Sequence, residues 1–297
     1  MHCVGRHLIS MPQKFQESPI TTGTFRAAGL RSHDPAFEVI VRAGNFTQQK
    51  FISEIQNRRV EMTRGGNDRV NVLRLDKQLS DRVALLRLQE IEDAYVSEIN
   101  LLLKGIMVTV RLDSYQNQYL QAEESLIKFT TRIKASQDGR SEGFCLGAVD
   151  IVGNFEAERG RFWFRDNQGA DFEVDVDTYA VDEETTLIER TSRPDSLLAV
   201  FDVKHKVLRA RERLVAGMQA QEWLGWARLS DDSDERTLKF ALETMRSKPS
   251  RVKPSISITF NTAKSLDDGT PTKTLISDEE ALQLWDAVVE SIRSTGT

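Results

Sequence analysis

The sequence predicts an α+β protein of two domains, residues 1–140 and 141–297. Each is expected to be an antiparallel sheet with packed helices, and the two halves to be a diverged internal duplication. Three observations carry this expectation. A length of 297 residues is about twice that of a common single domain. The opening Cys3-Val4-Gly5 returns near the midpoint as Cys145-Leu146-Gly147, and two later echoes keep the same order. In these, Phe37-Glu38-Val39-Ile40-Val41 is matched by Phe172-Glu173-Val174-Asp175-Val176, and residues 107–112 by 256–260. Finally, each of the last two segments is followed, after a polar loop, by an amphipathic helix. One runs from Glu123-Glu124-Ser125-Leu126 through Ile133, the other from Glu279-Glu280-Ala281-Leu282 through Ile292.

Taken in order, the chain opens with an extended segment to Met11, ended by Pro12, and a polar connection leads to a strand at 37–41. Asn45 offers a cap to a helix whose apolar positions Phe51, Ile52, Ile55 and Val60 follow helical spacing, with Gly65-Gly66-Asn67 as its stop. Short aliphatic runs at 70–75, 83–88 and 99–103, separated by charged turns and closed by 107–112, read as an antiparallel meander. The stretch 90–103 also fits a helical period through Ala94, Glu98 and Leu101, and is read here as strand. In the second half, 161–165 turns at Asp166-Asn167-Gln168-Gly169 into 171–176, a hairpin with Gly at its turn. A short helix at 183–190 precedes Pro194, and strands follow at 206–214, 219–229 and 237–245. The last helix is announced by a capping box, Ser277 with Glu280. Ala281, Leu284, Trp285, Val288 and Ile292 make one apolar stripe that must pack on a sheet.

Charge and motifs narrow the function by exclusion. Residues 1–142 carry a net +3 and residues 143–297 a net −8, giving the overall −5. That balance lacks the concentrated basic face nucleic acid demands. An acidic half could instead steer a basic protein partner, through Asp231, Asp232, Asp234 and Glu235 on one turn and Asp267 and Asp268 on a second. No apolar run approaches the ~18 residues that span a bilayer. The segment before Cys3 has neither the basic start nor the apolar run of a signal peptide, so either the protein is cytosolic or an exporting segment lies outside this stretch. No metal-ligand spacing joins His2, His7, His33 or His205, no phosphate loop follows a strand, and no cofactor is expected. Gly139-Arg140-Ser141-Glu142-Gly143 matches the G-x-S-x-G turn of esterases. That turn needs a strand before Ser141 and a helix after it, and here the order is reversed. The four tryptophans, Trp163, Trp223, Trp226 and Trp285, are expected in the core, and Glu222 as a partly buried carboxylate with a structural partner. Cys3 and Cys145, at equivalent strand starts, are inert thiols in a reducing compartment and can pair in an oxidising one. Closing so long a loop could contribute roughly 4 kcal/mol.

Cys3-Val4-Gly5-Arg6-His7-Leu8-Ile9 with Pro12, Phe144-Cys145-Leu146-Gly147, Val215-Ala216-Gly217 with Glu222-Trp223, and Glu280-Ala281-Leu282 through Ser291-Ile292-Arg293 resemble one family. It is the fourth class of two-domain immunity proteins directed against type VI secretion lipase effectors. The resemblance implies a non-catalytic periplasmic protein, monomeric alone, that forms a 1:1 complex with a cognate phospholipase effector and blocks its active site. The matched residues carry over as fold determinants only. The rival readings are a serine esterase using Ser141 and a non-catalytic envelope scaffold.

Overall fold

A computed structural model describes residues 1–27, 36–64, 72–136, 143–179, 185–192, 205–228, 236–245, 249–262 and 274–295. The chain forms two compact units, and their boundaries differ from a single cut at 140. One contains 1–18 together with 159–297, the other 19–158.

The opening is a tight hairpin rather than one extended segment. Strands β1 (His2–Val4) and β2 (His7–Ile9) pair antiparallel around Gly5, whose φ of 63° lies in the left-handed region that glycine adopts without strain. The two-residue β3 (Gln16–Glu17) follows.

The 19–158 unit begins with β4 (Ile20–Ala27) and β5 (Phe37–Arg42). Helix α1 (Gln48–Thr63) is capped by Thr47, whose hydroxyl accepts from the Lys50 N–H, so the cap lies two residues beyond Asn45. The meander then runs through β6 (Val72–Ser80), β7 (Val83–Ile91), β8 (Ala94–Leu103) and β9 (Ile106–Tyr115). Its stretch at 94–103 is strand, and Lys104-Gly105, both at positive φ, make the two-residue turn into β9. Helix α2 (Tyr119–Thr130) starts earlier than the expected Glu123 and stops at Thr130, so that Ile133 opens β10 (Ile133–Ala135) instead of ending the helix. The consecutive β-branched Thr130-Thr131 favour that stop. A second hairpin, β11 (Phe144–Leu146) with β12 (Val149–Ile151), pairs through β12 with β10. The large sheet has the order β4-β5-β9-β8-β7-β6, all antiparallel.

Both faces of this sheet are covered. Against one, α1 sets Phe51 and Ile55 on Ala84 and Met107, and Met62 on Leu86 and Leu88. In the other layer, Phe129 of α2 stacks on Phe37 at 4.5 Å, and Phe25 meets Phe144 and Phe155 edge-on. Successive strand residues alternate between the two layers, so Phe37, Val39 and Val41 form one apolar row.

The other unit continues with β13 (Phe155–Arg165) and β14 (Asp171–Asp177), joined by the expected 166–169 turn. The Asp166 carboxylate accepts from the N–H groups of Gln168 and Ala170, which fixes that turn. A short helix α3 (Leu187–Ser192) precedes β15 (His205–Val215), β16 (Met218–Arg228), β17 (Arg236–Thr244) and β18 (Ser255–Asn261). Helix α4 (Asp278–Glu290) carries the expected capping box, and β19 (Arg293–Ser294) ends the chain's regular structure. The sheet order is β13-β14-β18-β17-β16-β15, with β3 paired to β13. Strand β19 pairs with β2 of the N-terminal hairpin. Trp285 of α4 is fully buried over Phe172 and Phe240, and Phe15 from the N-terminal segment packs edge-on against Phe172. Trp223 is buried as expected, whereas Trp163 and Trp226 are only half-buried.

Candidate functional site

The residues expected to carry partner contact, Asp231, Asp232, Asp234, Glu235, Asp267 and Asp268, lie outside the described residues, as does Ser141. Gly143, the last glycine of the esterase-like pattern, is described, and its side of β12 explains it sterically. A Cβ there would collide with the Ile151 carbonyl and crowd Val152. The glycine is needed for close backbone approach, not for presenting a nucleophile. Among the described residues no group of three or more His, Cys, Asp or Glu could hold a metal ion. No helix of the described residues is long and apolar enough to cross a membrane. Neither Cys3 nor Cys145 is a free thiol.

What the described residues do bring together is a charged knot in each unit. Strand β15 reads Arg209-Ala210-Arg211-Glu212-Arg213, and its period of two points all three arginines to the α4 side of the sheet. They converge on Glu222 of β16, a carboxylate with 0% exposure. Arg211 Nε donates to Glu222 Oε1 at 2.8 Å, and Arg213 Nη1 to Oε2 at 2.9 Å. The indole Nε1 of Trp285 donates to Oε2 at 3.0 Å. Arg209 Nε sits 2.8 Å from Oε1 as an ion pair without hydrogen-bond alignment, while its two terminal nitrogens grip Asp286 at 2.6 and 2.9 Å. Arg213 bridges the two carboxylates through a second bond to Asp286 at 2.9 Å. Burial by itself would raise the Glu222 pKa. The hydrogen bonds from Arg213, Trp285 and Arg211 outweigh it and hold the group below the usual carboxylate range. The knot is thus ionised, saturated with donors and closed to catalysis: it pins α4 to the outermost strand.

The 19–158 unit has its own version. Glu98, also at 0% exposure, takes Arg58 Nε and Nη2 at 3.0 and 2.8 Å and the Asn100 amide at 2.9 Å, and Asn100 is in turn held by the Thr109 hydroxyl at 2.7 Å. That clamp ties α1 to β8. The alternating arginines of β15 were a legible signal for the Glu222 knot. Nothing local in the sequence marks Glu98.

A surface feature missed by sequence reasoning is a groove of about 400 Å³ beside the β15–β16 turn, where Met218, Met245, Pro249 and Pro254 are interleaved with the polar Gln219, Thr244, Lys253 and Ser255. The turn is the family-like Val215-Ala216-Gly217, with Ala216 and Gly217 both at positive φ. Exposed Leu214, Met245 and Val252 extend the apolar character around it, with Leu214 opposite Gln219 and Met245 donating its N–H to the Gln219 carbonyl at 2.7 Å.

Residues 140–295, more than half of the chain, match the family described as the Tle cognate immunity protein 4 C-terminal domain. The chain belongs to this family. No curated protein matches the sequence. Three solved structures share the fold across 100% of this chain. The apo structure of the type VI secretion immunity protein TplEi from Pseudomonas aeruginosa is 20% identical over 97% of its own length, with a TM-score of 0.68. A chain from the crystal structure of a Tle4–Tli4 complex is 21% identical over 97% of its length, with a TM-score of 0.69. TplEi in complex with an "L" peptide is 20% identical over 98%, with a TM-score of 0.65. Proteins of the Tle cognate immunity protein 4 family are immunity proteins, not enzymes, and this chain has that role. The knots around Glu222 and Glu98 are therefore structural centres of an immunity fold.

Proposed function

We propose that the protein binds one cognate type VI secretion phospholipase effector in a 1:1 complex and inhibits it by covering the entrance to its active site, protecting the producing bacterium and its kin. The family match over 140–295 carries this reading. The likeness of the whole chain to a chain of the Tle4–Tli4 complex supports it. A protein without a catalytic group acts on an enzyme by occupying surface, and two units can bury more area than one. The acidic residues Asp231, Asp232, Asp234, Glu235, Asp267 and Asp268 are our candidates for part of the contact. Alone the protein is proposed to be monomeric, and its place of action to be the periplasm. The deciding experiment is co-purification with the lipase encoded beside it, followed by a lipase assay. Full activity in the presence of excess protein rejects the mechanism.

We further infer that residues 1–140 and 141–297 are diverged copies of one unit. The strand orders β4-β5-β9-β8-β7-β6 and β13-β14-β18-β17-β16-β15 support this, since they are the same path. The buried helix positions Ala122, Leu126 and Phe129 recur as Ala281, Trp285 and Val288, at one constant spacing. The hairpins β1–β2 and β11–β12 likewise repeat strand for strand, with Gly147 at φ 58° answering Gly5. Cys3 and Cys145, the only cysteines in the chain, are proposed to bond to each other. Two reactive thiols in the unfolded, non-reduced protein would reject that pairing.

A further inference from the structure

Each small three-stranded sheet contains strands from both halves of the sequence. Strand β19, from the end of the second half, pairs with β2 from the start of the first: Arg293 faces Leu8, and Ser294 faces His7. Strand β10, from the end of the first half, pairs with β12 from the start of the second: Lys134 faces Asp150. Since Leu8 and Asp150 hold the same place in their hairpins, each hairpin occupies, in the other half's compact unit, the position that its own half's terminal strand would offer it. The seats are specific. Residues 1–18 are held by Thr295 N–H to the Arg6 carbonyl at 3.0 Å, by Ser10 N–H to Ser291 Oγ at 2.8 Å, and by Phe15 against Phe172. Residues 143–158 are held by Ser136 N–H to the Ala148 carbonyl at 2.9 Å, by Val152 N–H to the Arg132 carbonyl at 2.8 Å, and by Phe144 against Phe25.

We propose that these seats are reciprocal binding sites for a β-hairpin ligand. Residues 159–297 bind the hairpin of 1–18, residues 19–139 bind that of 140–158, and the two sequence halves are obligate partners that stay together without a peptide bond or disulfide between them. A swap of identical elements between copies is a low-cost route to a dimer. Fusion of two such copies by duplication leaves the exchange inside one chain. The inference rests on reading the halves as repeats. It is independent of lipase inhibition, because no lipase enters its test.

The test uses the full chain in a Cys3→Ser, Cys145→Ser background, with a protease site replacing residues 137–142. Residues directly opposite in an antiparallel pair lie about 4.5–5.5 Å apart at Cα, within disulfide range. A Leu8→Cys, Arg293→Cys pair is therefore expected to cross-link within the folded monomer, and Leu8→Cys, Lys134→Cys to leave two titratable thiols. Leu8, Arg293 and Lys134 all reach the surface, so the cysteines are tolerated. After cleavage the uncross-linked fragments are expected to co-elute 1:1 and to melt at a midpoint that rises with concentration, unlike that of the intact chain. Cross-linking of Leu8→Cys to Lys134→Cys, failure of both pairs, or elution of the fragments as two separate folded monomers overturns the proposal. If the cleaved protein precipitates, the cross-links on the intact chain decide.

Discussion

Lowering the pH through the histidine range should weaken the fold through His7. It sits in β2 between β1 and β19, with 1% exposure and an Nδ1 that lacks a hydrogen-bond partner. Burial disfavours the imidazolium and lowers its pKa from 6.5 to about 4. Between those values the unfolded chain binds the proton and the folded chain does not, so stability rises with pH across the window. The contribution is complete above pH 6.5 and is lost progressively down to pH 4. The gap of 2.5 units corresponds to about 3 kcal/mol at full loss, and integration to pH 5 gives about 2 kcal/mol. Urea unfolding at pH 7.5 and pH 5 measures it, with His7→Asn as reference. The variant lowers stability at both pH values, but it removes this titration and leaves the carboxylates, so the change in the difference between proteins isolates His7. A difference that stays constant within about 0.5 kcal/mol over that range would refute the assignment.

Replacing Glu222 by Ala leaves Arg209 and Arg213 with Asp286 but takes the hydrogen-bonded carboxylate from Arg211 and from the buried Trp285 indole N–H, and should cost about 3–5 kcal/mol in denaturant titration. A loss under about 1 kcal/mol would mean that the knot does not hold α4 to β15. Gly143→Ala should destabilise by roughly 1–3 kcal/mol, because its Cβ meets the Ile151 carbonyl. An unchanged unfolding midpoint would remove the close-approach explanation. Ser141→Ala should leave protection intact and the purified protein without esterase activity; ester hydrolysis abolished by that change would speak for a hydrolase. Neutralising Asp231, Asp232, Asp234, Glu235, Asp267 and Asp268 together should slow association with the effector and flatten its salt dependence. Unaltered rates would clear those residues of the contact.

The fold was legible wherever an element announces itself by period or punctuation. The capping box at Ser277, the stripe through Ala281, Trp285 and Val288, the 166–169 turn and the meander strands are local signals, and they sit where expected, although the helix ends at Glu290, short of Ile292. Local chemistry also set the errors. Asn45 and Thr47 are both good caps, and only the geometry of the Lys50 N–H distinguishes them. Ile133 fits the helix period of α2, yet it belongs to a strand whose partner, β12, lies in the other half of the sequence.

Pairing between segments far apart leaves no periodic trace, which is why the hairpin seats and the Glu98 clamp went unseen; the alternating arginines of β15 are a local pattern, but the reading of the sequence passed over them as well. The Cys-x-Gly echo was the one sequence clue to the seats. It could reveal that the hairpins are equivalent but not which half each one serves, because a hairpin three residues a side presents the same edge to β10 or to β19. That choice rests on the few side chains beyond the ladder, such as Phe15 on Phe172 and Phe144 on Phe25, whose partners lie at least 119 positions away. If the proposed exchange holds, its specificity should reside in the aromatic cores: Phe15→Ala or Phe144→Ala should weaken the rejoining of the cleaved fragments, read as a lower melting midpoint at equal concentration, while an unchanged midpoint would place the specificity elsewhere.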